Sequence, residues 1–177
     1  SIGKSITTTS FYNTDANNGE GAWAIGSRID PTDKSGVNFL GRIVGENPTL
    51  KDYMKNAMNG QKYDFKVTNG EDKPIPGIDT YRGMPIGGNA AGDVLYASAR
   101  DIGNVAAGYI AGANGISWEN ARIAFDAYQS YSSKTLAIEG RSTRNAEYYG
   151  WRAGANPRNV SSPQKLKNFI RGVKSYL

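Results

Sequence analysis

Two polar residues, Asp101 and Asn104, lie three positions apart within a stretch rich in apolar residues and glycine. If that stretch is helical, their side chains lie one turn apart on the same face. A carboxylate and a carboxamide at this spacing can position a water, a sugar hydroxyl or a phosphate for hydrolysis. The alternative is a buried helix in which neighbouring backbone groups hydrogen-bond both side chains. The spacing alone leaves both interpretations open.

The stretch that positions this pair runs from Gly92 to Gly115 and is predicted to be a helix. Its apolar residues recur at steps of three and four, namely Leu95, Ala99, Ile102, Val105, Tyr109 and Ala113. Gly103, Gly108 and Gly112 each cost about 1 kcal/mol relative to alanine inside a helix. Their presence predicts a close approach, either by the backbone of another segment or by a ligand that reaches Asp101 and Asn104.

The composition limits the chemistry. The 177 residues carry a net charge of +5 and include neither histidine nor cysteine. Histidine general bases, thiolate nucleophiles and His- or Cys-ligated metals are therefore excluded. The positive charge favours a polyanionic partner, either nucleic acid or the anionic bacterial envelope. No run of about 18 apolar residues exists, so a membrane-spanning helix is not expected.

The polar first fifth of the chain and the remainder differ in pattern. Residues 1–36 are predicted to form an irregular N-terminal extension with one short strand near Ala22 to Ile25, and residues 37–177 a single domain. Short helices are expected from Val37 to Val44 and after an Asn47 cap with Pro48 at the first helical position. Three further helices should follow Gly115, over about residues 117–129, 142–154 and 162–177.

A strand is predicted between the early helices and the Asp101 stretch. Tyr63, Phe65 and Val67 alternate with Asp64 and Lys66, which should share one exposed face. The expected fold is therefore α+β and mainly helical, with a small antiparallel sheet at about residues 61–86 followed by a bundle of four helices.

Several of these segments together resemble the bacterial polymorphic toxin type 44 family. Its members show a Trp-Asp-Tyr-Lys-like strand, an Asp-x-Gly-Asn-x-x-x-Gly helix and a later glutamine. The matching segments here, between Leu50 and Trp151, are Tyr63-Asp64-Phe65-Lys66, Ala99-Arg100-Asp101-Ile102-Gly103-Asn104 with Gly108 and Gly112, and Gln129. The chain departs from the pattern in having Tyr63 where tryptophan is usual, and in lacking histidine.

The resemblance implies a ribonuclease-like toxin domain at the C-terminal end of a large secreted effector, such as an Rhs or type VI protein. Such a domain is delivered into a target cell and neutralised in the producer by a cognate immunity protein. The implied catalytic residues are Asp64, Lys66, Asp101 and Asn104. No metal site or cofactor is implied, although aspartates can bind a divalent ion.

Basic and amide side chains are the expected substrate contacts. They are Arg82, Arg100, Gln129, Arg141 and Arg144. The segment Tyr81-Arg82-Gly83 is also similar to the first-strand motif of ADP-ribosyltransferases, where the arginine contacts NAD. That fold needs several more strands after the arginine, whereas a helical pattern follows here.

Three hypotheses for function follow. The first is a toxin that hydrolyses nucleic acid without histidine or cysteine. The second is a toxin that cleaves peptidoglycan through paired carboxylates, since the chain is rich in residues that stack on sugars. The third is a non-enzymatic binding or adaptor domain in which the glycines of the central helix serve only for packing.

Overall fold

The computed structural model describes residues 1–7, 11, 29–58, 60–68, 79–88, 92–133 and 141–155. Within these residues the chain forms six α-helices and three short strands, and the expected α+β class is confirmed. The strands are β1 Lys4–Ser5, β2 Gly83–Gly88 and β3 Val94–Ser98. The helices are α1 Ser35–Glu46, α2 Leu50–Asn56, α3 Phe65–Thr68, α4 Ala99–Ala113, α5 Trp118–Ser133 and α6 Arg141–Ala155, with a 3-10 turn at Asp79–Tyr81.

The sheet has the order β1-β3-β2, so β3 is its central strand. β2 pairs with β3 in antiparallel fashion, and β1 pairs with β3 in parallel, with Lys4 opposite Leu95. Leu95 and Tyr96, which are neighbours in β3 and so face opposite sides of the sheet, are both buried, as expected for a strand covered on both sides. The sheet therefore lies partly in the N-terminal segment that the sequence indicated to be irregular.

The predicted helix from Gly92 is wrong in its first part, because Val94–Ser98 is a strand. The change from strand to helix takes place at Ser98, whose backbone is extended and whose Oγ accepts the Asp101 N–H at 3.1 Å. A serine followed three residues later by an acid is a typical helix start. Hydrogen bonding to two neighbouring strands overrides the helical spacing before that point.

The predicted strand over residues 61–67 is also wrong. The Asp64 N–H bonds the Gln61 carbonyl at 2.9 Å and the Val67 N–H bonds the Asp64 carbonyl at 3.1 Å, so the segment is a turn that leads into α3. Tyr63, Asp64 and Phe65 are all buried, whereas consecutive residues in a strand point to opposite faces. The alternation of residue types reflects a buried turn and not a pleat.

The predicted early helices are present as α1 and α2, but α2 begins later than expected. Its N-cap is Thr49, whose Oγ1 accepts the Asp52 N–H at 3.1 Å. Asn47 instead ends α1 in the left-handed conformation, which asparagine tolerates better than most residues. α5 begins after Ser117 as predicted, with the Asn120 N–H bonded to the Ser117 Oγ at 3.3 Å.

The glycines of α4 allow another helix to pack against its backbone. A Cβ at Gly108 would overlap the carbonyl oxygen of Glu147, and one at Gly112 would overlap that of Trp151. In return, a Cβ at Gly150 would overlap the carbonyl oxygen of Val105. From Gly108 to Gly112 the facing residue moves from Glu147 to Trp151, so the contacts advance in the same direction along both helices. α4 and α6 therefore run parallel, with their backbones in contact.

Parallel packing of α4 and α6 places their N-terminal ends side by side, while α5 returns the chain between them. Of the two explanations that the sequence left open for the glycines, close approach by a backbone therefore holds at Gly108 and Gly112. At Gly103, by contrast, a Cβ would meet nothing within 4 Å. The predicted strand near Ala22 to Ile25 and the predicted helix over 162–177 lie outside the described residues.

Candidate functional site

The residues expected to act on substrate lie on several separate elements, and most of these elements contact the N-terminal half of α4. The turn at α3, the 3-10 turn before β2 and the start of α6 all pack against α4. The candidate site is defined here as this end of the domain, centred on the first two turns of α4.

Asp101 is buried, with only 1% of its surface exposed. Its Oδ2 accepts a 2.9 Å hydrogen bond from the Thr7 hydroxyl, and its own N–H is capped by Ser98. A carboxylate in the first turn also interacts favourably with the positive end of the helix dipole. In this structure Asp101 therefore orders the start of α4 and fixes the N-terminal segment against it.

Asn104 lies one turn further along α4 and is half-buried. Its Nδ2 is itself buried and has no hydrogen-bond partner within the described part of the chain. Leaving a buried amide N–H unsatisfied costs about 1–3 kcal/mol, so the group is well suited to donate to a ligand oxygen. Gly103 beside it leaves open space on the helix surface.

Asp64 and Lys66 do not share an exposed face, contrary to the prediction. Asp64 is 2% exposed and its Oδ2 accepts the Gly60 N–H at 3.0 Å, whereas Lys66 is exposed. Burial and the charge of Asp64 together raise the pKa of Tyr53. The Tyr53 hydroxyl donates to the Gly103 carbonyl at 2.9 Å, so Asp64 is near the same part of α4 but in the protein interior.

Arg82 is almost fully buried and connects α3 to the sheet. Its Nη1 donates to the Lys66 carbonyl at 3.4 Å, and its guanidinium carbon lies 6.0 Å from the centre of the Phe65 ring. The Arg82 carbonyl accepts the Ala99 N–H at 3.0 Å. These contacts hold α3 beside the first turn of α4, which makes Arg82 a structural neighbour of the candidate residues.

Arg100 extends from the first turn of α4 to the first turn of α6. Its Nη2 donates to the Thr143 Oγ1 at 2.6 Å, and its guanidinium carbon lies 5.8 Å from the centre of the Tyr81 ring. Arg100 as a whole is half-buried. Among the predicted contacts, Arg100 is one that joins α4 to α6 at the candidate site.

The remaining predicted contacts fall on α5 and α6. Arg144 is exposed in the first turns of α6. Gln129 lies in α5 and Arg141 begins α6, and their side chains lie outside the described part of the structure. The first turn of α6 contains no acidic residue, although acids stabilise that position and cations destabilise it.

Two structural partners could not be identified from the sequence. Thr7 lies in the segment predicted to be irregular, and nothing in its neighbourhood indicates a contact 94 positions away. Glu147 is 2% exposed and accepts from Arg122 at 2.7 Å, while Arg122 also donates to Asp126. The spacing of Arg122 and Asp126 was a readable signal for an ion pair within α5, but the pairing with Glu147 required the packed helices.

Within the described ranges, no group of three or more Asp and Glu side chains is arranged to hold a metal ion. None of the described helices combines the length and the apolar character needed to cross a bilayer. Comparison of the chain with protein-family models, with characterised proteins and with solved structures finds no match.

Proposed function

We propose that this chain is a toxin domain that is delivered into a competing bacterium and hydrolyses nucleic acid there. One observation carries the proposal: the parallel N-terminal ends of α4 and α6 lie side by side and Arg100 joins them. The N–H groups of Ala99 and Asp101 in α4 are already hydrogen-bonded, so the attraction for a phosphate comes from the dipole of α6 and from the Arg100 guanidinium. The type 44 resemblance and the net charge of +5 support the same class of substrate.

The positive character of this end is greater than helix stability requires. α4 carries the expected acid, Asp101, in its first turn, but α6 begins with Arg141 and has Arg144 in the following residues. Cations at a helix N-terminus are unfavourable by about 0.3–1 kcal/mol each. An arrangement that lowers stability in this way is typical of a surface that binds an anion.

Each side chain takes a role that fits its exposure. Arg100 contacts a phosphate oxygen and stabilises the charge that develops as the phosphodiester is attacked. The Asn104 amide donates to a second oxygen of the same group. Asp101, which is buried, acts as a positioning residue that holds the first turn of α4, and this revises the direct catalytic role that the sequence suggested.

The proposed hydrolase can be tested with purified domain and labelled RNA, single-stranded DNA and duplex DNA. Wild type should cleave at least one of them, while Arg100→Gln and Asn104→Ala should lose cleavage. Lys51→Gln, at an exposed lysine of α2, is the control with the same loss of charge. Expression of each variant in the cytoplasm or the periplasm of a test bacterium gives the second measurement.

The outcomes separate the three hypotheses. Toxicity confined to the periplasm, with no cleavage of nucleic acid, would contradict the proposal and identify the cell wall as the substrate. Absence of both toxicity and cleavage would favour the non-enzymatic binding domain. That alternative has one specific observation behind it, because the backbone of α6 accounts for Gly108 and Gly112 without any ligand.

A further inference from the structure

The outer face of α6 carries a tyrosine between two arginines. Arg144, Tyr148 and Arg152 are four positions apart, so they lie in one row along the helix. Arg144 is exposed, Tyr148 is 40% exposed and Arg152 is half-buried. At 1.5 Å per residue the row is about 12 Å long, with the aromatic ring near its middle.

The ring of Tyr148 packs against the rings of two tryptophans. It stacks on Trp151 at a centroid distance of 5.9 Å and an angle of 15°, and meets Trp118 edge-on at 4.9 Å. Trp151 is fixed in turn, because its Nε1 donates to the Ile116 carbonyl at 2.7 Å. Contacts of this kind hold Tyr148 in one orientation, so little conformational entropy is lost when a flat group stacks on it.

Charge on this face is positive and close to the ring. The guanidinium carbon of Arg152 lies 5.7 Å from the centre of the Tyr148 ring. Arg122, which lies over Trp118, is balanced by Glu147 and Asp126. On the adjoining turn of α5, Glu119 is the exposed acid. The row carries two cations on either side of a flat ring, so it complements a ligand that combines negative charges with flat rings.

We propose that the Arg144–Tyr148–Arg152 row binds single-stranded nucleic acid, with a base stacked on Tyr148 or on the Arg152 guanidinium near it and the arginines near the flanking phosphates. Bases stack on both kinds of surface when a strand is unpaired, but not when they are held within a duplex. The inference rests on the proposed function for its class of ligand. The row begins beside Thr143, the partner of Arg100, and leads away from the candidate site.

The test uses fluorescence anisotropy of the full chain with labelled oligo(U), oligo(dT) and a duplex of the same length. Each protein also carries Asn104→Ala so that the strand stays intact. Tyr148→Leu retains an apolar side chain against Trp118 and Trp151 but removes the flat ring. It should weaken single-strand binding about 5- to 150-fold, the range measured when one stacking aromatic is lost. Tyr148→Phe should bind as wild type does.

Two further variants separate charge from stacking. Arg144→Gln and Arg152→Gln should each reduce the slope of log affinity against log salt by about 0.7. Ile123→Ala, at an exposed apolar residue of α5, and Lys51→Gln should leave affinity unchanged. Circular dichroism confirms that each variant is folded, and if Tyr148→Leu fails to fold, the affinity of the wild-type surface for the single strand relative to the duplex carries the test.

Equal affinity of wild type and folded Tyr148→Leu for the single strand would overturn the inference, as would preference for the duplex. Binding of polyglutamate as tight as that of RNA would assign the face to an acidic protein instead. Cleavage is measured separately, with proteins that keep the native Asn104. A chain that binds single strands through Tyr148 and cleaves nothing would overturn the proposed function alone, and a chain that cleaves without using Tyr148 would overturn the inference alone.

Discussion

The guanidinium of Arg100 donates a 2.6 Å hydrogen bond to the hydroxyl of Thr143, and this contact fixes the first turn of α4 to the first turn of α6. Thr143 is almost fully buried, whereas Arg100 is half-buried. The bond therefore orients a half-buried cation at the end of the domain where two helices begin.

Thr143→Val should lower the free energy of unfolding by about 1.5–3 kcal/mol, the usual value for a hydrogen bond to a charged group. Arg100→Lys should also be destabilised, because an ammonium lacks the planar fork that reaches Thr143 while facing Tyr81. Urea titration measures both. A Thr143→Val variant as stable as wild type would show that the bond does not hold the two helices together.

Gly108→Ala and Gly150→Ala should each lose about 1–3 kcal/mol of stability or more, because the added methyl must displace a backbone carbonyl of the facing helix. Gly103→Ala on the same helix is the matched control. Its Cβ meets nothing within 4 Å, so it should stabilise the domain by up to about 1 kcal/mol through helix propensity. Thermal unfolding of the three variants is the measurement, and similar midpoints for Gly103→Ala and Gly108→Ala would contradict the parallel packing.

Asp101→Asn should remain folded, lose toxicity and lose up to about 1–2 kcal/mol of stability as its charge leaves the helix N-terminus. Ser98→Ala is the control, since losing the cap of the same turn costs about 1 kcal/mol without changing charge. If Asp101 positions the site, Asp101→Asn lowers kcat with little change in KM, while Ser98→Ala keeps kcat. Equal kcat in the two variants would reduce Asp101 to a purely structural residue.

Stability should decline in alkali. Burial raises the pKa of Tyr53, with the charge of Asp64 as the second cause, and burial also raises the pKa of Tyr149. The unfolded chain ionises its tyrosines near about pH 10 while the folded chain keeps these two protonated. Their contribution is therefore complete below about pH 10 and is lost as pH rises above it.

Tyr53→Phe tests this dependence. It should be less stable at neutral pH by about 1 kcal/mol, because its hydrogen bond to the Gly103 carbonyl is lost. Between about pH 9 and pH 11 its free energy of unfolding should fall less steeply than that of wild type. Urea midpoints measured across this range give the two slopes, and identical slopes would be inconsistent with a raised pKa at Tyr53.

Nucleic-acid affinity should fall steeply with salt. Each phosphate neutralised contributes about −0.7 to −0.9 to the log-log slope, so three to five contacts by the basic residues near the C-terminus give about −2 to −4. Binding to purified peptidoglycan, whose glycan strands hold few condensed ions, should change far less over the same range. A flat salt dependence for RNA and DNA would favour the cell-wall hypothesis.

The spacing of apolar residues and the capping residues at helix ends were sufficient to predict most of the described helices. The capping serine and the apolar face of α5, and the helix that holds Ala146, Tyr149 and Trp151, are local features that any fold would retain. Two assignments were wrong, one of a strand and one of the first part of a helix. Both patterns are short: the alternation at Tyr63 to Val67 forms a turn through hydrogen bonds within that segment, whereas hydrogen bonds to β1 and β2 override the helical spacing at Leu95.

The candidate site was predicted in its residue types but not in its arrangement. Sequence spacing correctly predicted that Asp101 and Asn104 lie on one helix. Their environments differ, because Asp101 is buried and hydrogen-bonded, whereas the Asn104 Nδ2 has no hydrogen-bond partner within the described residues. Asp64 was expected to be exposed beside Lys66 and is instead buried near Tyr53.

The sequence by itself determined that the domain is α+β and that its chemistry excludes histidine and cysteine, and it predicted a close approach at the glycines of α4, which holds at Gly108 and Gly112 but not at Gly103. These properties depend on composition and on contacts within a few residues. Only the tertiary structure decided that the close neighbour at Gly108 and Gly112 is the backbone of a parallel α6, and that the Thr7 hydroxyl donates a hydrogen bond to the Asp101 carboxylate. Contacts between residues far apart in the chain follow from which surfaces are buried together, and local spacing carries no information about that choice.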